Sequence, residues 1–85
     1  MAIVFIPRQL AKLTGGVRQV EASGKTLRDV IDSLERDYPG VRERLVEGDR
    51  LRPGLAAAVD NTFVGLLQAV EETSEIHFVP AIQGG

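Results

Sequence analysis

Few residues in this 85-residue chain can do covalent chemistry, and what is missing narrows the field quickly. There is no cysteine, so neither a disulfide nor a thiolate metal site can form. A single histidine, His77, rules out His-rich metal ligation and any His pair. No complete phosphate-cradling loop of the G-x-x-x-x-G-K-S/T type is present, and no nucleophile–base pair of the usual sort stands out. What remains is the ending, Ile82-Gln83-Gly84-Gly85. A glycine pair has no side chain to react, so the group it offers is the C-terminal carboxylate of Gly85. Glycine's missing Cβ also lets a backbone thread a channel too narrow for other residues. A frayed end would carry the same letters, so the elements that position this end must decide.

A chain of this length folds as one domain and buries only roughly 60% of its unfolded surface. Its 44% hydrophobic and 26% charged residues suit a small globule and are too apolar for disorder. The net charge of −2 argues against a polyanion-binding surface, so no nucleic-acid partner is expected. Arg42, Arg44, Arg50 and Arg52 recur, but Glu43, Glu47 and Asp49 are interleaved with them, as in a mixed solvated loop. No apolar run approaches the ~20 residues that span a bilayer, and no basic-then-apolar leader opens the chain. A soluble, cytoplasmic protein with no membrane partner is expected.

Ala2-Ile3-Val4-Phe5-Ile6 is β-branched and aromatic, ends at Pro7, and reads as a central strand covered on both faces. Thr14-Gly15-Gly16 signals a turn, and Val17–Ala22 reads as the second strand of a hairpin. Leu27, Val30, Ile31 and Leu34 follow the i, i+3, i+4, i+7 spacing of an amphipathic helix. Thr26 suits its N-cap, Asp29 the acidic capping-box position, and Tyr38-Pro39-Gly40 its stop. Val41 to Val46 can add a short helical turn with Leu45 under the core. Leu55–Val59 reads as a strand because Asp60-Asn61 follows as a turn and Phe63-Val64 as the return, with Phe63 assigned to the core. Ile76–Pro80 is the last strand. The order is β-β-α-β-β-β, an α+β arrangement in which a mixed sheet packs on one main helix. It predicts a β-grasp, ubiquitin-like domain over residues 1–80, with the last strand beside the first and a flexible Gly-Gly tail over residues 81–85.

In this order of elements the chain resembles the ubiquitin-like sulfur-carrier family. Its members include the small subunit of molybdopterin synthase, the thiamine sulfur carrier and the carrier for cysteine synthesis. The specific part is Phe78-Val79-Pro80-Ala81-Ile82-Gln83-Gly84-Gly85, which looks like the family's strand-proline-apolar-x-Gly-Gly tail and is read here as the true end of the chain. Ile6-Pro7, Leu10 and Thr14-Gly15-Gly16 look closest to the cysteine-synthesis carriers. There are departures: the turn Glu71-Glu72-Thr73-Ser74-Glu75 lacks the family's glycine, and Val59-Asp60-Asn61 stands where a Val-Asn turn is usual. Neither touches the reactive end.

The resemblance implies a carrier rather than an enzyme: no cofactor bound, with ATP used by a ubiquitin-activating-type adenylyltransferase partner. Adenylation of Gly85 makes AMP a leaving group, and sulfide or a persulfide displaces it to leave a thiocarboxylate. A sulfur-accepting synthase then draws on it for cysteine or molybdopterin synthesis. Gly84 permits close backbone approach, and Ala81, Ile82 and Gln83 supply reach, residues 81–85 spanning roughly 16 Å when extended. Pro80, lacking an N–H, is expected to end the ladder and release the tail. Alternation along the last strand puts His77 and Val79 outward if Ile76 and Phe78 point inward, so His77, Val79 and Pro80 are the candidate partner-binding residues. His77 then resembles the histidine of ubiquitin's recognition surface, although a plain solvated strand histidine fits the same spacing. Two other readings share the fold: a protein modifier joined through Gly85 to lysines, and a ubiquitin-like binding module.

Overall fold

In the computed structural model, which describes residues 1–81, the first strand alternates in burial along its length. Strand β1 (Ala2–Phe5) buries Ala2 and Val4 and leaves Ile3 and Phe5 half-exposed, so only one of its faces is covered. The expectation of cover on both faces is corrected. The strand is interior through its two hydrogen-bonded neighbours, while the helical layer lies on one side only. A 3-10 turn at Arg8–Leu10 leads to strand β2 (Gln19–Ala22), antiparallel to β1 with Ala2 opposite Ala22 and Phe5 opposite Gln19. The strand starts later than Val17 because the Thr14 hydroxyl donates to the Val17 carbonyl at 2.8 Å and holds it in the preceding loop.

Helix α1 (Leu27–Asp37) buries Leu27, Val30, Ile31 and Leu34, the residues its spacing selects, against Val4, Ala57, Ile76 and Phe78 of the sheet. Burial of each such aliphatic side chain is worth about 1.5–3 kcal/mol. Every early N–H of α1 is satisfied. Leu27 and Arg28 donate to the carbonyls of Gln68 and Leu66, both at 2.9 Å, and Asp29 donates to the Thr26 hydroxyl at 3.2 Å. The Asp29 carboxylate accepts from the Thr26 N–H at 3.2 Å, completing the capping box. Proline at 39 keeps Tyr38 out of the α region, and Gly40, at φ 104°, turns the chain into helix α2 (Val41–Leu45). The Glu35 carboxylate accepts from the N–H groups of Arg42 at 2.8 Å and Gly40 at 3.2 Å and so caps that short helix.

Two strand pieces, β3 (Val46–Glu47) and β4 (Arg50–Leu51), form a small ribbon in the stretch read as loop. Strands β5 (Leu55–Val59) and β6 (Thr62–Val64) follow, joined by Asp60 and Asn61. Their φ values of 50° and 71° match the twist of a two-residue hairpin turn with both central residues left-handed. Strand β7 (Glu75–Pro80) closes the sheet in the order β2-β1-β7-β5-β6, parallel to β1 and antiparallel to β5. This is the mixed β-grasp sheet, with its last strand central and its helices on one face.

Candidate functional site

Strand β7 determines what the open face of the sheet presents. Ile76 and Phe78 point into the core, and His77 and Val79 stand half-exposed on the far side, as the alternation predicts. Strand registers carry the row sideways: Phe5 lies opposite His77, His77 opposite Ala58, and Ala58 opposite Phe63. The Phe5 and His77 rings stack with centroids 4.2 Å apart and planes 5° from parallel. In the next row Val79 lies opposite Ala56. Ala56, Phe63, Val79, Pro80 and Ala81 together line a shallow apolar hollow of about 310 Å³.

Phe63 is 71% exposed, which corrects its assignment to the core. The turn at Asp60-Asn61 places it opposite Ala58, on the face that Ala57 and Val59 do not use. Phe5, Ala56 and Ala58 join it as surface residues that inspection of β7 alone does not find. The signal was present: once the two-residue turn is recognised, counting back along both strands puts Phe63 on the His77 face.

Strand β7 and its register with β5 end at Pro80, as expected, but the proline does not release the chain there. It lies opposite Leu55 in β7, and the next residue, Ala81, still donates its N–H to the Gly54 carbonyl at 2.8 Å. Antiparallel pairs alternate between hydrogen-bonded and non-hydrogen-bonded positions. Pro80 occupies one of the latter, so its missing N–H costs no bond to β5. The candidate residues His77, Val79, Pro80 and Ala81 are therefore brought together along one strand, beside Phe63. The remaining ones, Ile82, Gln83, Gly84 and Gly85, lie outside the described residues.

Two carboxylates are held below their ordinary range, Asp60 and Glu35, and neither lines the apolar hollow. Asp60 is held below the usual carboxyl range by the Glu75 N–H and then by the Ser74 hydroxyl, which pins the start of β7. Glu35 is lowered by the N–H groups of Arg42 and Gly40. Among the described residues no group of His, Cys, Asp or Glu is arranged to hold a metal ion, and no helix is long and apolar enough to cross a membrane. The Gly24-Lys25-Thr26 stretch before α1 is no phosphate cradle either, because the N–H groups there are already bonded to Leu66, Gln68, Thr26 and Asp29. What this part of the face can do is dock: its row of Phe5, Ala58 and Phe63 around His77 and the adjoining hollow are largely apolar, and they lie beside the strand end at Pro80.

Known proteins share this arrangement. The ThiS family matches residues 4–85. The sulfur carrier protein CysO of Mycobacterium tuberculosis, like that of Mycobacterium bovis, is 37% identical over 96% of this chain and 96% of its own length. Among solved structures, a chain of the Amycolatopsis orientalis BexX/CysO complex superposes with a TM-score of 0.92 at 32% identity, covering 100% of both chains. Mycobacterium tuberculosis CysO superposes with a TM-score of 0.90 at 34% identity, covering 96% of this chain and 100% of that one.

Proposed function

The chain belongs to the ThiS family of ubiquitin-like sulfur carriers, and from that premise we propose that Gly85 is the point at which it carries sulfur, in the service of cysteine synthesis. The observation that carries the reading is a family match that extends through Gly84-Gly85, a few residues beyond the Pro80 end of the sheet's last strand. The 37% identity to CysO supports the cysteine branch over the molybdopterin one.

The chemistry follows from the carboxylate. Its charge repels nucleophiles and oxide is a poor leaving group, so it needs activation. The Gly85 carboxylate oxygen attacks the α-phosphorus of ATP on an adenylyltransferase and releases pyrophosphate. Hydrosulfide then adds to the acyl carbon, expels AMP and loses a proton, leaving the thiocarboxylate. The chain serves as a protein-sized substrate throughout. Its docking face, with His77, Val79 and Pro80 beside Phe5 and Phe63, engages first the activating enzyme and then a sulfur-accepting synthase. A neighbour solved as the BexX/CysO complex supports docking on a partner protein.

The test is intact-mass analysis with tail fragmentation after incubation with ATP, a sulfur-carrier adenylyltransferase and sulfide, followed by iodoacetamide. The chain has no thiol of its own, so alkylated sulfur on Gly85 is the expected result. An unmodified tail, with an enzyme proven active on its own carrier, overturns the reading. High-mass conjugates that survive reducing denaturation and vanish when Gly85 is deleted would instead assign the chain to protein modification.

A further inference from the structure

Strand polarity sorts the charges of this acidic chain toward opposite ends of the sheet. Because β1 and β7 run parallel, Arg8 follows β1 at the same end at which the chain leaves β7. The Ile6 N–H donates to the Arg18 carbonyl at 2.8 Å, which brings Arg18 to that end. Arg52 is fixed there by its carbonyl, which accepts from Leu55 at 3.1 Å beside the Gly54–Ala81 bond. Arg44 lines a hollow with Pro7, Gln9 and Leu55. All of these arginines are exposed. Glu47, 3.7 Å from Arg52, is the carboxylate that pairs with one of them among the described residues, and Glu43 and Asp49 are exposed in the same stretch.

The other end carries the opposite sign. Glu21 and Glu75 flank Ile3, Asp60 accepts from the Glu75 N–H, and Glu71 and Glu72 precede β7. Cations there include the amino terminus, 3.9 Å from Glu72, Lys25, and Arg36, which donates to the Ser33 hydroxyl beside the Ser23 carbonyl. The length of β7 separates the two groups by roughly 17 Å at ~3.3 Å per residue. That is about twice the ~8 Å Debye length at physiological salt, so an approaching partner senses each end separately.

We infer that the arginines around the Ala81 exit form an electrostatic collar for a partner protein whose tail-accepting channel is rimmed by carboxylates. The inference rests on the proposal above that an activating enzyme takes the carboxy-terminal end. Exposed ion pairs add little affinity, but complementary potentials steer encounter and can raise association rates by roughly 10- to 1,000-fold. The row from Phe5 through His77 and Ala58 to Phe63 is largely apolar, and the exposed carboxylates of this face, Glu21 and Glu75, lie beside Ile3 at the far end. The collar marks the exit end by its charge and draws it toward the channel. The carboxylates interleaved with the collar suit a protein rim better than the unbroken phosphate charge of a nucleic acid.

The test measures adenylation kcat/KM with a sulfur-carrier adenylyltransferase, at about 20 mM and about 500 mM salt, a range that takes the Debye length from about 20 Å to under 5 Å. The variants are an Arg8→Glu/Arg18→Glu/Arg44→Glu triple, the same triple to Gln, and a far-end Glu71→Lys/Glu72→Lys control, each with a thermal melt to verify folding. The Glu triple is expected to lose about tenfold or more at low salt through KM, with kcat unchanged, and to recover to within about threefold at high salt. The Gln triple falls between, and the far-end control stays within about twofold. A triple variant equal to wild type, or a loss undiminished by salt, overturns the collar and leaves the carrier reading intact. A wild-type chain that is not adenylated at all removes both.

Discussion

The imidazole of His77 lies flat on the ring of Phe5, with centroids 4.2 Å apart and planes 5° from parallel. The contact joins β1 to β7 across the parallel pair at the centre of the sheet, on the face without helices. It couples the strand that leads to Gly85 to the strand that opens the chain. Aromatic pairs of this kind contribute about 0.5–1.5 kcal/mol beyond their buried area. A double-mutant cycle on Phe5→Leu and His77→Ala, read by urea unfolding, should return a coupling in that range. Additive losses would mean that the stack is a by-product of register.

Phe63 should separate docking from folding. At 71% exposed it loses little on truncation, so Phe63→Ser should shift stability by no more than about 0.5 kcal/mol. If the hollow it shares with Val79 and Pro80 seats a partner, kcat/KM for adenylation should fall by about tenfold, the size of a moderate interface anchor. A destabilisation of about 3–5 kcal/mol would place the ring in the core after all.

Gly24 is constrained by space. A Cβ there would lie 2.6 Å from the Val30 nitrogen and 2.8 Å from the Asp29 carbonyl carbon, both helix backbone that cannot rotate away. Gly24→Ala should therefore cost about 1–3 kcal/mol, seen as a lower melting temperature. Gly15→Ala is an unequal comparison: its Cβ meets open space, and only its φ of 64° resists the change. An unchanged melting temperature for Gly24→Ala would show that β2 and α1 can slide apart freely.

Acid should erode stability in a defined direction. Glu35 and Asp60 are both held below their ordinary carboxyl range, Glu35 by the Arg42 and Gly40 N–H groups, Asp60 by the Glu75 N–H and the Ser74 hydroxyl. A carboxyl whose folded value is lowered contributes stability that is fully present above its unfolded value. That contribution is lost as pH falls through the folded one. Urea midpoints should therefore hold at neutral pH and decline on acidification, with a shallower decline in Glu35→Gln and Asp60→Asn. Identical slopes in all three proteins would assign the acid sensitivity to other carboxylates.

Much of this molecule was decided locally. The spacing of Leu27, Val30, Ile31 and Leu34, the Thr26–Asp29 capping box and the Asp60-Asn61 turn each depend on neighbours a few residues away, and each formed as the sequence implies. The glycine pair at the end of a β-grasp order was enough to name the family. The face of each residue in the sheet was a different matter. An all-apolar β1 reads as buried on both sides, and Phe63 reads as core, because composition carries hydrophobicity but not direction. Direction comes from register: which residue of β5 meets which of β6 and β7 depends on hydrogen bonds between segments far apart in the chain. Pro80 shows the same limit, since its missing N–H matters only if a partner strand needs it there, and the pairing with Leu55 does not. Sequence alone determined the main elements and the fold, and singled out the carboxy-terminal end as the candidate site. Only the tertiary structure decided the surface around that end, because the surface is assembled from strands that become neighbours on folding.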